Sequence, residues 1–84
     1  MFHISAYHQL DKDLAFIPDS IRNRIILAIK TLRNNPFPST FKKLKDTKNG
    51  YRLRVGDYRI LYEIDIKQKI IYVTAVGHRK EIYR

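Results

Sequence analysis

Hydrophobic and polar positions alternate with a period of two at both ends of this chain and with a helical period between them. Met1 to Ser5 places Phe2 and Ile4 on one side and His3 on the other, a short first strand. From Ser5 or Ala6 a helix is expected. Tyr7, Leu10, Leu14 and Ile17 fall on one apolar stripe of it, with His8, Asp11 and Lys12 off the stripe. Pro18 ends that helix and suits the first position of another. Asp19 complements the positive end of the second helix. Ile21, Ile25, Ala28, Ile29 and Leu32 form its core-facing stripe, and Ile26 lies at the edge. Leu27 falls on the polar side. It is a candidate partner contact, although a lone exposed leucine is ordinary. Asn34-Asn35-Pro36 stops the helix near Arg33. A helical hairpin with one broad apolar face needs a sheet to cover.

The second half supplies that sheet. The stretch from Tyr51 to Ile64 reads YRLRVGDYRILYEI. Tyr51, Leu53 and Val55 alternate with Arg52 and Arg54; beyond Gly56, Tyr58, Ile60, Tyr62 and Ile64 alternate with Asp57, Arg59, Leu61 and Glu63. Two alternating runs around a glycine-containing break predict a β-hairpin. Arg52 and Arg54 must share a face, and Arg59 joins them if the turn sets the register that way. Ahead of the hairpin, residues 36–49 form a connection that Phe37, Phe41 and Leu44 could anchor. After it, Asp65 to Lys69 turns the chain. Ile70 to Val76 is apolar on both faces, with Ile70, Tyr72 and Val76 on one and Ile71, Val73 and Ala75 on the other. That pattern predicts a central strand covered on both sides. The expected fold is one α+β domain over residues 1–84: an N-terminal strand and a helical hairpin packed on a small, mostly antiparallel, twisted β-sheet.

Charge changes the picture. The 84 residues carry a formal net charge of +9. Residues 1–41 hold five Lys/Arg against three Asp/Glu, and residues 42–84 hold twelve against five. The excess therefore travels with the sheet and favours a polyanion or an acidic protein partner. Lys42, Lys43, Lys45 and Lys48 adjoin the arginine hairpin and are candidate RNA contacts; the plainer reading is a solvated edge that discourages strand pairing. Cysteine is absent, which favours a reducing, cytoplasmic home for so small a domain. No apolar run is long enough to span a membrane, and the first residues do not read as a signal peptide.

The candidate chemistry follows from what is missing. No carboxylate pair suits glycosidase work, no cluster has metal-ligand spacing, and there is no glycine-rich phosphate loop or obvious serine or cysteine nucleophile. Arg52, Arg54, Arg59, His78, Arg79 and Tyr83 remain, on two strands or just past their ends. Guanidinium groups clamp phosphate and offset charge developing on it, so metal-free phosphoryl transfer fits. In RNA the 2′-OH can be the nucleophile. One group must take its proton and another must protonate the leaving 5′-oxygen. Each residue also has a structural reading: the arginines as surface charge, Tyr83 as packing against the sheet, His78 as a turn residue. Glu63 reads as an ion-pair partner for an arginine.

These residues carry a family resemblance. GYRLRVGDYRILYEI, followed by a hydrophobic strand and VGHRKEIY, resembles the RelE toxins of the RelE/ParE superfamily of toxin–antitoxin systems, and does so over nearly the whole chain. The resemblance implies a toxin that enters the ribosomal A site and cuts the codon there by metal-free attack of the 2′-OH, with no cofactor. Arg52 and Arg54 fill the family's two basic positions before the turn, and Arg59 its phosphate clamp. Arg79 fills its transition-state or leaving-group arginine, and Tyr83 the tyrosine that orients or stacks on the nucleotide. Some relatives carry lysine where this chain has Arg54; arginine cannot easily be a base, and His78 is the best replacement. The implied partners are ribosome, mRNA and an antitoxin, the toxin being monomeric alone and hetero-oligomeric with the antitoxin. The alternatives are a ParE-like inhibitor of DNA gyrase, or a binder of RNA or ribosome without catalysis.

Overall fold

The computed structural model describes residues 1–38, 41–44 and 50–82. The elements run β1 (His3–Ala6), α1 (Leu10–Ala15), α2 (Asp19–Leu32), β2 (Phe41–Lys43), β3 (Gly50–Val55), β4 (Tyr58–Asp65) and β5 (Ile70–His78). The strands form one sheet in the order β1-β5-β4-β3-β2. Only β1 and β5 pair in parallel; the other neighbours are antiparallel. Two helices on a small, mostly antiparallel sheet is the expected architecture, and the sheet has five strands among the described residues.

The six largest fully buried side chains are Ile25 and Leu32 of α2, Ile60 and Tyr62 of β4, and Ile71 and Val73 of β5. Each contributes on the order of 2 kcal/mol by leaving water, so these three elements dominate the core. Leu14 and Ile17 complete it from the first helix and its exit. Leu27 is exposed, as its place on the polar side implied. Pro18 is the N-cap of α2, one position earlier than expected, and its carbonyl accepts the Arg22 N–H at 2.8 Å. Phe37 sets its ring edge-on to Tyr51, and the Tyr62 hydroxyl donates to the Pro36 carbonyl at 3.0 Å, so the start of the connection is tied to the sheet.

Three expectations need correction. First, the opening helix begins at Leu10, not at Ser5 or Ala6. The β1–β5 ladder takes Ser5 and Ala6, and the Tyr7 N–H extends it by donating to the Val73 carbonyl at 3.0 Å. Second, β5 lies inside the sheet between β1 and β4, with β4 at the centre, and is covered on one face only, because Tyr72 and Thr74 are exposed on the other. Third, the β4–β5 register shifts between Leu61 and Tyr62: Leu61 pairs with Ala75 and Tyr62 with Val73, so Thr74 is an extra residue. Its hydroxyl donates to the Leu61 carbonyl at 3.2 Å. Such a bulge rephases the strand. Ile71, Val73 and Val76 consequently share the core face, while Ala75 and Gly77 face outward.

Candidate nucleic-acid interface

Burial of Leu53 and Val55 on β3 and of Ile60 on β4 commits the intervening residues to the face away from the helices. Arg52, Arg54 and Arg59 are those residues. The register pairs Lys42 with Arg52, Arg54 with Arg59, and Arg59 with Gly77, all on this outer face. Directly paired residues hold their Cβ atoms about 5 Å apart. Lys42, Arg52, Arg54 and Arg59, with Gly56, line a groove of about 510 Å³. No acidic side chain is among these lining residues. Arg59 therefore joins Arg52 and Arg54, as the sequence allowed, and of the lysines Lys42 joins them too. Lys43 does not. It pairs with Tyr51, which packs on the core side and stacks on Tyr62 at 5.8 Å between ring centres. Lys45, Lys48 and Tyr83 lie outside the described residues.

A two-residue turn, Gly56-Asp57, closes one end of the groove. Gly56 has φ +60°, the left-handed conformation that glycine adopts without strain and that the first position of a type II′ hairpin turn requires. Val55 and Tyr58 pair across it, which is what fixes the register. The Gly56 carbonyl accepts the Arg54 Nε–H at 2.9 Å. The Asp57 carbonyl accepts the Arg79 N–H at 2.9 Å, and the Asp57 Oδ1 lies 3.9 Å from the Arg79 Nε. Arg79 is thus held against the turn at one end of the groove, though it is not among the residues that line it. The importance of Asp57 was not legible beforehand; the adjacency of Gly and Asp signalled a turn and no more.

His78 is elsewhere. It pairs with Tyr58, one residue past the Arg59–Gly77 pair, so its side chain falls on the opposite face of the sheet. Its ring meets Tyr58 edge-on with 5.4 Å between ring centres, and its Nδ1 accepts the Lys80 N–H at 3.2 Å. It lines a second cavity of about 470 Å³ together with Asp13, Ile17, Glu81 and Ile82. The structure therefore gathers Arg52, Arg54, Arg59 and Lys42, sets Arg79 beside them, and separates His78 from them.

The two tyrosines with displaced acidities also lie on the helix side. Burial, then a hydrogen bond from its hydroxyl to Asp13, holds the Tyr7 phenol well above its ordinary range. Burial, then the neighbouring Tyr51, pushes Tyr62 up to about 12. Among the described residues, no three His, Cys, Asp or Glu side chains come together as metal ligands.

What the groove can do chemically is hold a polyanion. Its guanidiniums are permanently charged and their planar forks match phosphate oxygens.

Residues 3–83 match the family described as the ParE toxin of the type II toxin–antitoxin system parDE. Toxin RelE3 of Methanocaldococcus jannaschii is 42% identical over 76 residues, covering 86% of this chain and 84% of that protein. The archaeal RelE–RelB complex from Pyrococcus horikoshii OT3 contains a chain of 27% identity and TM-score 0.83, covering 95% of this chain and 97% of that one. The RelB–RelE antitoxin–toxin complex from Methanococcus jannaschii contains one of 36% identity and TM-score 0.78, covering 94% of each. This chain belongs to the RelE/ParE family of type II toxin–antitoxin toxins, and within it to the RelE type.

Proposed function

We propose that this toxin is a ribosome-dependent mRNA endonuclease that cuts in the A-site codon and works in the cytoplasm. The observation that carries the reading is the quartet Lys42, Arg52, Arg54 and Arg59 around one groove on the outer face of the sheet. In the proposed reaction the 2′-OH attacks the adjacent phosphorus and the bond to the 5′-oxygen breaks. A 2′,3′-cyclic phosphate and a 5′-hydroxyl result. Negative charge builds on the phosphoryl oxygens during the attack. Fixed guanidiniums at that point stabilise it without reorganisation, and loss of one such donor costs on the order of a hundredfold in rate. Arg79 meets the phosphate from the turn end of the groove, and Tyr83 positions the nucleotide by analogy with the family. Arginine does not accept the 2′-OH proton. The proton therefore leaves through a group outside the arginines, supplied by Lys42, by solvent or by the ribosome, and the departing 5′-oxygen takes up a proton from solvent or the ribosome.

Among the described residues that line the groove there is no carboxylate or imidazole, which favours one second reading, occupancy of the ribosome without cleavage. Primer extension on a defined mRNA, naked and held on ribosomes with an empty A site, separates the two. New ends only in the ribosome-held sample are expected. Translation arrest without new ends would establish the second reading and overturn the first.

An antitoxin belongs to the proposal, supported by the two archaeal RelE relatives solved as complexes with RelB. An acidic segment that folds on the outer face would neutralise the arginines and block the groove. Its binding is expected to weaken with salt and with Arg52→Glu.

A further inference from the structure

The hairpin turn presents both its carbonyls to arginines. The Gly56 oxygen takes the side chain of Arg54, and the Asp57 oxygen takes the main chain of Arg79. These arginines come from different parts of the chain, one on β3 and one beyond β5. Arg79 lies past the last sheet pair, where Glu81 and Ile82 turn back to donate to the His78 carbonyl at 2.9 and 3.0 Å. Its long side chain is half exposed and would otherwise sample many rotamers, a freedom of about 2 kcal/mol. The Asp57 carboxylate is the acid found at its Nε.

From this we infer that Asp57 is a positioning residue: its carbonyl fixes the root of Arg79 and its carboxylate orients the guanidinium at the turn end of the arginine groove. The inference rests on the endonuclease reading for its reaction, and on the geometry of the turn for its mechanism.

Two plainer roles make different predictions. A surface ion pair this open adds little to stability. Aspartate is also a common turn residue, but asparagine serves a turn equally well. Asp57→Asn therefore keeps the turn and removes only the charge. A carboxylate beside a cationic groove also opposes RNA, so its loss should strengthen binding of the polyanion. Positioning and binding then move in opposite directions, which damage to the fold cannot produce.

The experiment compares wild type, Asp57→Asn, Arg79→Ala and the double variant. Binding is read with a short fluorescent RNA, and rate by single-turnover cleavage of ribosome-held mRNA. Asp57→Asn is expected to bind the RNA as tightly as wild type or tighter, to cleave about tenfold more slowly, and to add nothing in the Arg79→Ala background. Equal slowing in both backgrounds, unchanged cleavage, or a parallel loss of binding and rate would overturn the role. If wild type itself does not cleave, the endonuclease reading fails. The positioning claim is then judged by 15N relaxation of the Arg79 Nε, expected to show a restrained side chain in wild type and a freely moving one in Asp57→Asn. The same mobility in both would overturn it.

Discussion

Arg54 and Arg59 stand directly opposite each other in the β3–β4 ladder, two permanent positive charges in one cross-strand pair. Like charges so placed are destabilising by roughly 0.2–1 kcal/mol. The fold tolerates this because the pair sits in a hairpin whose other face is buried, with Leu53 and Ile60 at 5% and 0% exposure. The register is fixed by the core, and the charges follow it.

Arg59→Glu converts the repulsive pair into an attractive one. Its melting temperature should rise by a few degrees at low ionic strength, since about 1 kcal/mol shifts a domain of this size by roughly 4–8 °C. Wild type should gain stability as salt is added and the variant should not. Cleavage, or RNA binding if cleavage is absent, should fall at least a hundredfold. Equal salt dependence of the two melting curves would show that the arginines do not repel in the fold.

Alkaline pH should unfold the protein through Tyr62. Its pKa is raised to about 12 from an ordinary value of 10.0, by burial first and by Tyr51 second. The neutral phenol is the form the fold favours. Its contribution is complete below pH 10, where both states are protonated, and is lost as pH rises through 12. A gap of two units corresponds to about 3 kcal/mol. Urea midpoints measured from pH 8 to 11.5 should drop steeply above pH 10. In Tyr62→Phe the drop should be shallower, with a stability at pH 8 about 1 kcal/mol lower for the lost bond to Pro36. An identical alkaline slope in the variant would assign the effect to other groups, Tyr7 first.

Much of this was legible in the sequence, and the failures share one cause. The hairpin, the second helix, its core stripe and the common face of Arg52 and Arg54 all follow from local periodicity and one glycine; Arg59 joins that face through the register that the turn sets. The faces of β5 do not. Counting by two from Tyr72 puts His78 on the outer face, beside the arginines. The extra residue at Thr74 changes the parity and turns His78 inward to Tyr58. A bulge is decided by how two strands fit, and neither strand announces it alone. The late start of the first helix has a similar origin: pairing of β1 with β5, remote in sequence, outweighed a helical stripe.

Tyr7 shows what that pairing is worth. Its hydroxyl donates to Asp13 at 2.6 Å and accepts the Val76 N–H at 3.2 Å, closing the edge of β5 just beyond the last residue that β1 covers. Tyr7→Phe keeps the ring and strands the Val76 amide. A loss of about 1–3 kcal/mol is expected. Hydrogen exchange at Val76 should quicken more than at Ile71, which keeps its partner strand. Uniform acceleration at both would mean a global loss of stability and no special role for the hydroxyl.

His78 gives the sharpest test of the site, because sequence and structure place it differently. If imidazole were the base, His78→Gln would abolish cleavage. The structure instead sets the ring across the sheet from the groove, with Nδ1 engaged by Lys80. His78→Gln is therefore expected to keep cleavage within about tenfold of wild type, whereas Arg52→Ala and Arg59→Ala each lose about a hundredfold or more. A loss as deep as that of the arginine variants, at unchanged melting temperature, would bring the imidazole into the reaction. It would also require residues 77–82 to rearrange on the ribosome, since no rotamer of His78 crosses the sheet.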